Sequence, residues 1–92
     1  MLTTVDSEKI TVSVTAVGLT AVKLTSDISS VSVHAEGDIR YWTSRKNPTS
    51  TDGIPLYDGT ERVFSLSDAS GFKAIRKGAS DAAIHVQYHV TR

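Results

Sequence analysis

Hydrophobic and polar residues alternate most clearly near the C-terminus, in Ala82-Ala83-Ile84-His85-Val86-Gln87-Tyr88-His89-Val90. Ala82, Ile84, Val86, Tyr88 and Val90 fall on one side; Ala83, His85, Gln87 and His89 fall on the other. A period of two predicts a strand with one face in a core and the other towards solvent. Its apolar face and its backbone groups both need partners. The rest of the chain must therefore supply a sheet beside it and a second layer over it.

The preceding segments read in the same way. Met1 to Glu8 is short and polar, and is expected to be a flexible arm or one that orders against a partner. Ile10, Val12, Val14 and Ala16 alternate with Thr11, Ser13 and Thr15 until Gly18 breaks the strand. Val22 and Leu24 mark a short second strand over 21–25, and 28–35 forms a third with Val31, Val33 and Ala35 on one face. Glu36-Gly37-Asp38 is a tight reversal, which makes 38–43 the hairpin partner of the third strand. In that strand Ile39 and Tyr41 share one face, Arg40 and Trp42 the other. Residues 44–53 are the longest polar segment, a surface loop that Pro48 orders in part. Ile54 to Tyr57 is a short strand that Pro55 suits to an edge. Asp58-Gly59 then predicts a second hairpin into 60–66, because a two-residue type I′ turn wants positive φ at both central positions. A turn over 67–71 and a strand over 72–76 lead to the final one.

Seven or eight short strands without a crossover helix predict an all-β fold, a small antiparallel β-sandwich, Greek-key or jelly-roll-like. It occupies 9–92 as a single domain, with 1–8 as the arm. The expected core is Ile10, Val12, Val14, Val22, Leu24, Val31, Val33, Ile39, Tyr41, Phe64, Leu66, Phe72, Ile75, Ile84, Val86 and Tyr88. At 92 residues burial is incomplete. Association with further copies, as a trimer or dimer, would add stability.

Composition removes several function classes. The ten Lys and Arg balance ten Asp and Glu, which argues against bulk-charge binding of nucleic acid. The cations cluster, however: 40–77 holds seven against four acids, a net +3. The chain has no Cys, hence neither disulfides nor thiolate metal sites. No apolar run reaches membrane-spanning length, and the N-terminus lacks the regions of a signal peptide. A soluble protein made in the cytosol, without a membrane partner, is expected.

Candidate chemistry is sparse. On a strand, His85 and His89 sit roughly 13 Å apart at about 3.3 Å per residue, too far for one metal ion, although His34 could approach from another strand. Asp58 serves as a turn residue and Glu61 as a solvent-facing one, so they are not an acid–base pair. No nucleophile elbow or phosphate-binding glycine loop occurs. The chain is expected to be no enzyme, with no cofactor and no metal. Trp42 faces away from Ile39 and Tyr41, so it lies under the 44–53 loop or at a protein interface, where Trp is enriched.

Val17-Gly18-Leu19-Thr20-Ala21, Ile39-Arg40-Tyr41-Trp42, Asn47-Pro48-Thr49 and Gly53 together resemble small structural proteins of tailed bacteriophages. Phe72-Lys73-Ala74-Ile75-Arg76 and the alternation from Ala82 to Tyr88 complete the likeness, which spans about 9–90. Where relatives often carry Asp-Gly before Pro-Thr, this chain has Ser44-Arg45-Lys46, a more basic loop. The resemblance implies a β-sandwich virion component assembled in the host cytoplasm. Its first expected role is that of a capsid decoration (cement) protein, bound to the major capsid protein or other virion proteins. Trp42, Arg45, Lys46, Asn47, Pro48 and Tyr57 are the expected interface residues. A head–tail connector, a tail or fibre-associated sandwich, and a small glycan-binding module stacking sugars on Trp42, Tyr41 or Tyr57 are the alternatives.

Overall fold

The computed structural model describes residues 2–49 and 51–91. Seven antiparallel strands form two sheets. Sheet A holds β1 (Leu2–Val12), β7 (Ala82–Thr91), β2 (Ile28–Glu36) and β5 (Glu61–Ser65), in that spatial order. Sheet B holds β4 (Ile54–Leu56), β3 (Ile39–Trp42) and β6 (Lys73–Arg76). The result is the all-β sandwich that the alternation predicts.

The C-terminal strand is its centre. β7 runs between β1 and β2, pairing Ile10 with Ile84 and Val33 with Val86. Ile84, Val86 and Tyr88 are fully buried, and His85 and Gln87 point outward. Each such aliphatic side chain contributes roughly 1.5–3 kcal/mol on burial. Across the core from sheet A, Tyr41 of sheet B stacks on Phe72, with ring centroids 5.5 Å apart, and meets the Phe64 ring edge-on at the same distance. Val31, Val33, Ala35, Ile39, Leu56 and Ala74 fill the remaining space.

Several expectations change. The segment expected as an arm is strand: Leu2 to Glu8 continue β1 along β7, with a bulge between Thr4 and Asp6. The strand expected over 21–25 is instead a single 3-10 turn, Ala21–Lys23. Of the expected core, Val14 and Val22 are exposed, because β1 ends at Val12 and Val22 sits on that turn. The turn over 67–71 is a short helix, α1 (Leu66–Ser70), whose N-terminus is capped by Ser65 Oγ accepting from the Asp68 N–H at 3.2 Å.

Neither expected hairpin forms. β2 and β3 lie in different sheets, as do β4 and β5. Gly37, at φ 92, is the corner between β2 and β3, and a Cβ there would lie 3.0 Å from Ala82 Cβ. At Asp58-Gly59 only the glycine takes positive φ, so the turn is not type I′ and does not return the chain along itself. The one pair of consecutive strands that are also neighbours, β3 and β4, is joined by the polar loop.

Candidate functional site

Alternation places Arg40 and Trp42 of β3, Pro55 of β4, and Lys73 and Ile75 of β6 on the outer face of sheet B. The registers Arg40–Pro55, Arg40–Ile75 and Trp42–Lys73 put them side by side. The β3–β4 loop folds back over this face. The Arg45 N–H donates to Gly71 O at 2.9 Å, fixing the loop's start, and Arg40 Nη1 donates to Gly53 O at 2.9 Å, fixing its end. Thr49 and Asp52 exchange main-chain bonds of 2.8 and 3.3 Å, which tightens the tip. Pro48 is buried against this structure, close enough that a Cβ on Gly53 would lie 3.0 Å from its ring. Proline is easily buried here because it carries no N–H that would need a partner.

Of the expected interface residues, the fold brings Trp42 and Lys46 together, and Pro48 is buried in the same loop beside Gly53. Trp42 is half-buried under the loop, with Lys46 Nζ 5.3 Å above its ring centroid. Its indole N–H is buried with no hydrogen-bond partner. Arg45 and Asn47 are exposed on the loop, Arg45 at φ 68, a left-handed conformation that non-glycine residues seldom adopt. Lys46 also pairs with Asp52 at 3.5 Å, both well exposed. Tyr57 is elsewhere. It follows Leu56, which pairs with Ile39 at the far end of β3, and Lys77 covers its ring at 5.7 Å.

Beside the loop lies a groove of about 380 Å³ lined by Val14, Pro48, Thr49, Ile75, Arg76 and Gly78. Its floor is apolar and Arg76, which pairs with Asp81 at 2.8 Å, stands at its side. Val14 and Ile75 were expected in the core. Ile75 lies three residues from buried Phe72, so the two cannot share a strand face. Arg40 and Arg76 belong to the cationic cluster over 40–77 but are not among the expected interface residues, since nothing local distinguishes them from the other cations there.

Sheet A carries a different outer face. A groove of about 420 Å³ runs over Ser7, Ser32, His34, Glu61, His85 and Gln87. The registers align Lys9, His85, His34 and Glu61 in one row across four strands. His85 Nε2 lies 2.7 Å from Glu36, and this bond, followed by the charge of Lys9, holds the Glu36 carboxyl below the usual range. His89 is held between Thr4 Oγ1 at 3.0 Å and Ser32 Oγ at 2.8 Å. His34 thus does meet His85 across the β2–β7 pair. Among the described residues no group of three or more His, Asp or Glu converges as a metal cage would require.

The three aromatic residues named as stacking candidates lie apart. Tyr41 is buried, Trp42 lies beneath Lys46, and Tyr57 sits at the other end of the sheet. Comparison of the chain with known protein families, curated proteins and solved structures finds no match to any of them.

Proposed function

We propose that the chain is a non-enzymatic structural protein of a phage virion, a capsid decoration protein that docks on the major capsid protein lattice through the outer face of sheet B. The observation that carries the choice of face is its charge. Arg40, Arg45, Lys46 and Lys73 lie on it or on the loop over it, against Asp52. The outer face of sheet A sets Lys9 against Glu36 and Glu61. A cationic face with an ordered loop and an apolar groove fits a fixed acidic surface, where complementary charge sets orientation and encounter rate. The resemblance along 9–90 supports the virion setting. Repeated docking at a symmetry axis would add buried interface to the shell.

The copy number of the chain per purified virion, measured by mass spectrometry against the major capsid protein, tests the reading. Copies comparable to the lattice are expected. A few copies would move the chain to the neck, tail or fibre, and none would end the virion reading. Replacing Arg45 and Lys46 with Glu should then release the chain from capsids without changing its circular dichroism.

A further inference from the structure

A sandwich has sheet edges, and an edge strand offers unpaired N–H and C=O groups to another strand unless something blocks it. Three of the four edges are blocked. β1 has its bulge, and its registers with Tyr88 and Val86 turn the carboxylates of Asp6 and Glu8 towards the inner side. β4 has Pro55, which lacks an N–H. β6 is already bonded on its free side: Val17 and Ala74 exchange two 2.9 Å bonds, and the Arg76 N–H donates to Ser13 O at 3.0 Å. β5 is the least guarded edge: its one inward-parity charge, Arg62 opposite Val33, is a long exposed side chain whose guanidinium can leave the seam.

The orientation of its backbone follows from β2. Ala35 donates to Thr60 O and accepts from the Gly59 N–H, both at 2.9 Å, so the main-chain groups of Ala35 point at the β5 side. Alternation carries this to Val33 and Val31, opposite Arg62 and Phe64. The main-chain groups of Arg62 and Phe64 are therefore used against β2, and those of Glu61, Val63 and Ser65 point away from the sheet. Val63 also exposes 60% of its surface on the outer face.

We propose that a second copy of this chain pairs with the first along β5, antiparallel about a two-fold axis at Val63, joining two sheets A into one continuous sheet. The register follows from the residues. A two-fold perpendicular to the sheet pairs only residues of like parity, because both copies must keep the same face outward. Centring it on Val63 sets Val63 against Val63 and Glu61 against Ser65, with the longest overlap of outward-pointing groups. Centring it on Arg62 would oppose two guanidinium groups. At the axis the Val63 N–H and C=O groups exchange reciprocal bonds, and each Ser65 N–H reaches the other copy's Glu61 C=O. The Arg62 guanidinium, which donates to that carbonyl at 3.2 Å from an exposed position, swings out into water. The two exposed Val63 side chains meet as a cross-strand apolar pair. β1 is disfavoured on the same ground, because matching parity sets Asp6 against Glu8, or Glu8 or Lys9 against itself, in the central registers. This dimer stands independently of the capsid reading.

Sedimentation of the full chain from micromolar to near-millimolar concentration tests the proposal. The wild type should shift to dimer. Val63→Lys, which sets two ammonium groups at the axis, and Val63→Pro, which removes an N–H that the domain's own ladder does not use, should both stay monomeric. Val63→Lys changes only an exposed side chain, so its circular dichroism should match the wild type. The chain has no native Cys, and opposed residues of a hydrogen-bonded pair lie about 5.5 Å apart at Cα, within disulfide reach. Val63→Cys should therefore oxidise to a covalent dimer while Ser7→Cys, near the blocked β1 edge, does not. A wild type that stays monomeric throughout would overturn the proposal. So would a dimer unchanged in Val63→Lys, or one that Ser7→Cys locks and Val63→Cys does not.

Discussion

Asp38 and Asp58 staple the two corners at which the chain changes sheets. Asp38 Oδ1 accepts the Asp58 N–H at 2.9 Å, and Asp58 Oδ1 accepts the Gly37 N–H at 2.9 Å. The corner between β2 and β3 and the corner between β4 and β5 therefore hold each other. Asp58 was chosen by the sequence as a hairpin residue; its work is to tie one crossover to another.

Replacing Asp58 with Ala removes the acceptor for Gly37 and leaves the turn main chain in place. Hydrogen bonds to charged groups are worth about 1.5–3 kcal/mol, less where water can substitute, as it can at this exposed site. Asp58→Ala should cost about 1–2 kcal/mol in urea unfolding with an unchanged m-value, and Asp58→Asn should recover much of it.

The loop over sheet B rests on Gly53. Its φ of 142 is one that L-residues rarely adopt, and a Cβ would lie 3.0 Å from Pro48 Cβ and 3.1 Å from Arg40 Cβ. Gly53→Ala should cost about 1–3 kcal/mol and loosen the loop. Trp42 is the chain's single tryptophan, so the effect reads directly as a red shift and easier acrylamide quenching of its emission. Emission unchanged from the wild type would show that Trp42 does not depend on the loop for its cover.

Which residues face inward was largely legible, because period two is a local property: the faces of β2, β3 and β7 follow the alternation. Which strands pair was not. Gly37 and Gly59 supply the positive φ of a turn, and that chemistry is the same whether the chain returns along its neighbour or crosses to the other sheet. The N-terminal strand was hidden by its charge. Asp6 and Glu8 occupy inner-facing positions that would ordinarily be apolar, and only the fold reveals Lys23, Thr20 and Tyr88 as their partners. On the docking side, Trp42 and its loop were legible as an odd polar-face aromatic beside a long polar segment. Arg40 and Lys73 join them only through strand register, which no local pattern encodes.

Those inner carboxylates have a use at the β1 edge. Asp6 pairs with Lys23 at 2.6 Å, a bond that also holds the Asp6 carboxyl below the usual range. Both partners reach solvent, and exposed pairs add little stability. Their larger effect is on association, since inward-pointing charge blocks strand addition. Asp6→Val should change the melting temperature little, yet raise light scattering and thioflavin binding on prolonged incubation. A variant as soluble as the wild type would show that the bulge alone protects this edge.

Tyr88 gives the domain an alkaline limit. The side chain is fully buried, and its hydroxyl donates to Glu8, which also accepts from Thr20 Oγ1 at 2.7 Å. Burial raises the phenol above its ordinary value of about 10, and the bond to Glu8 and that carboxylate's charge push it further in the same direction. Because the folded state holds this proton more tightly than the unfolded chain, its contribution is complete below pH 10 and falls as the pH rises beyond it. Stability should therefore decline above about pH 10, with phenolate absorbance from Tyr88 appearing only as the chain unfolds. Tyr88→Phe removes the titrating group and strands Glu8 without one of its donors. It should lower stability at neutral pH by about 1–3 kcal/mol and flatten the alkaline decline. An alkaline decline equally steep in Tyr88→Phe would assign it to other groups.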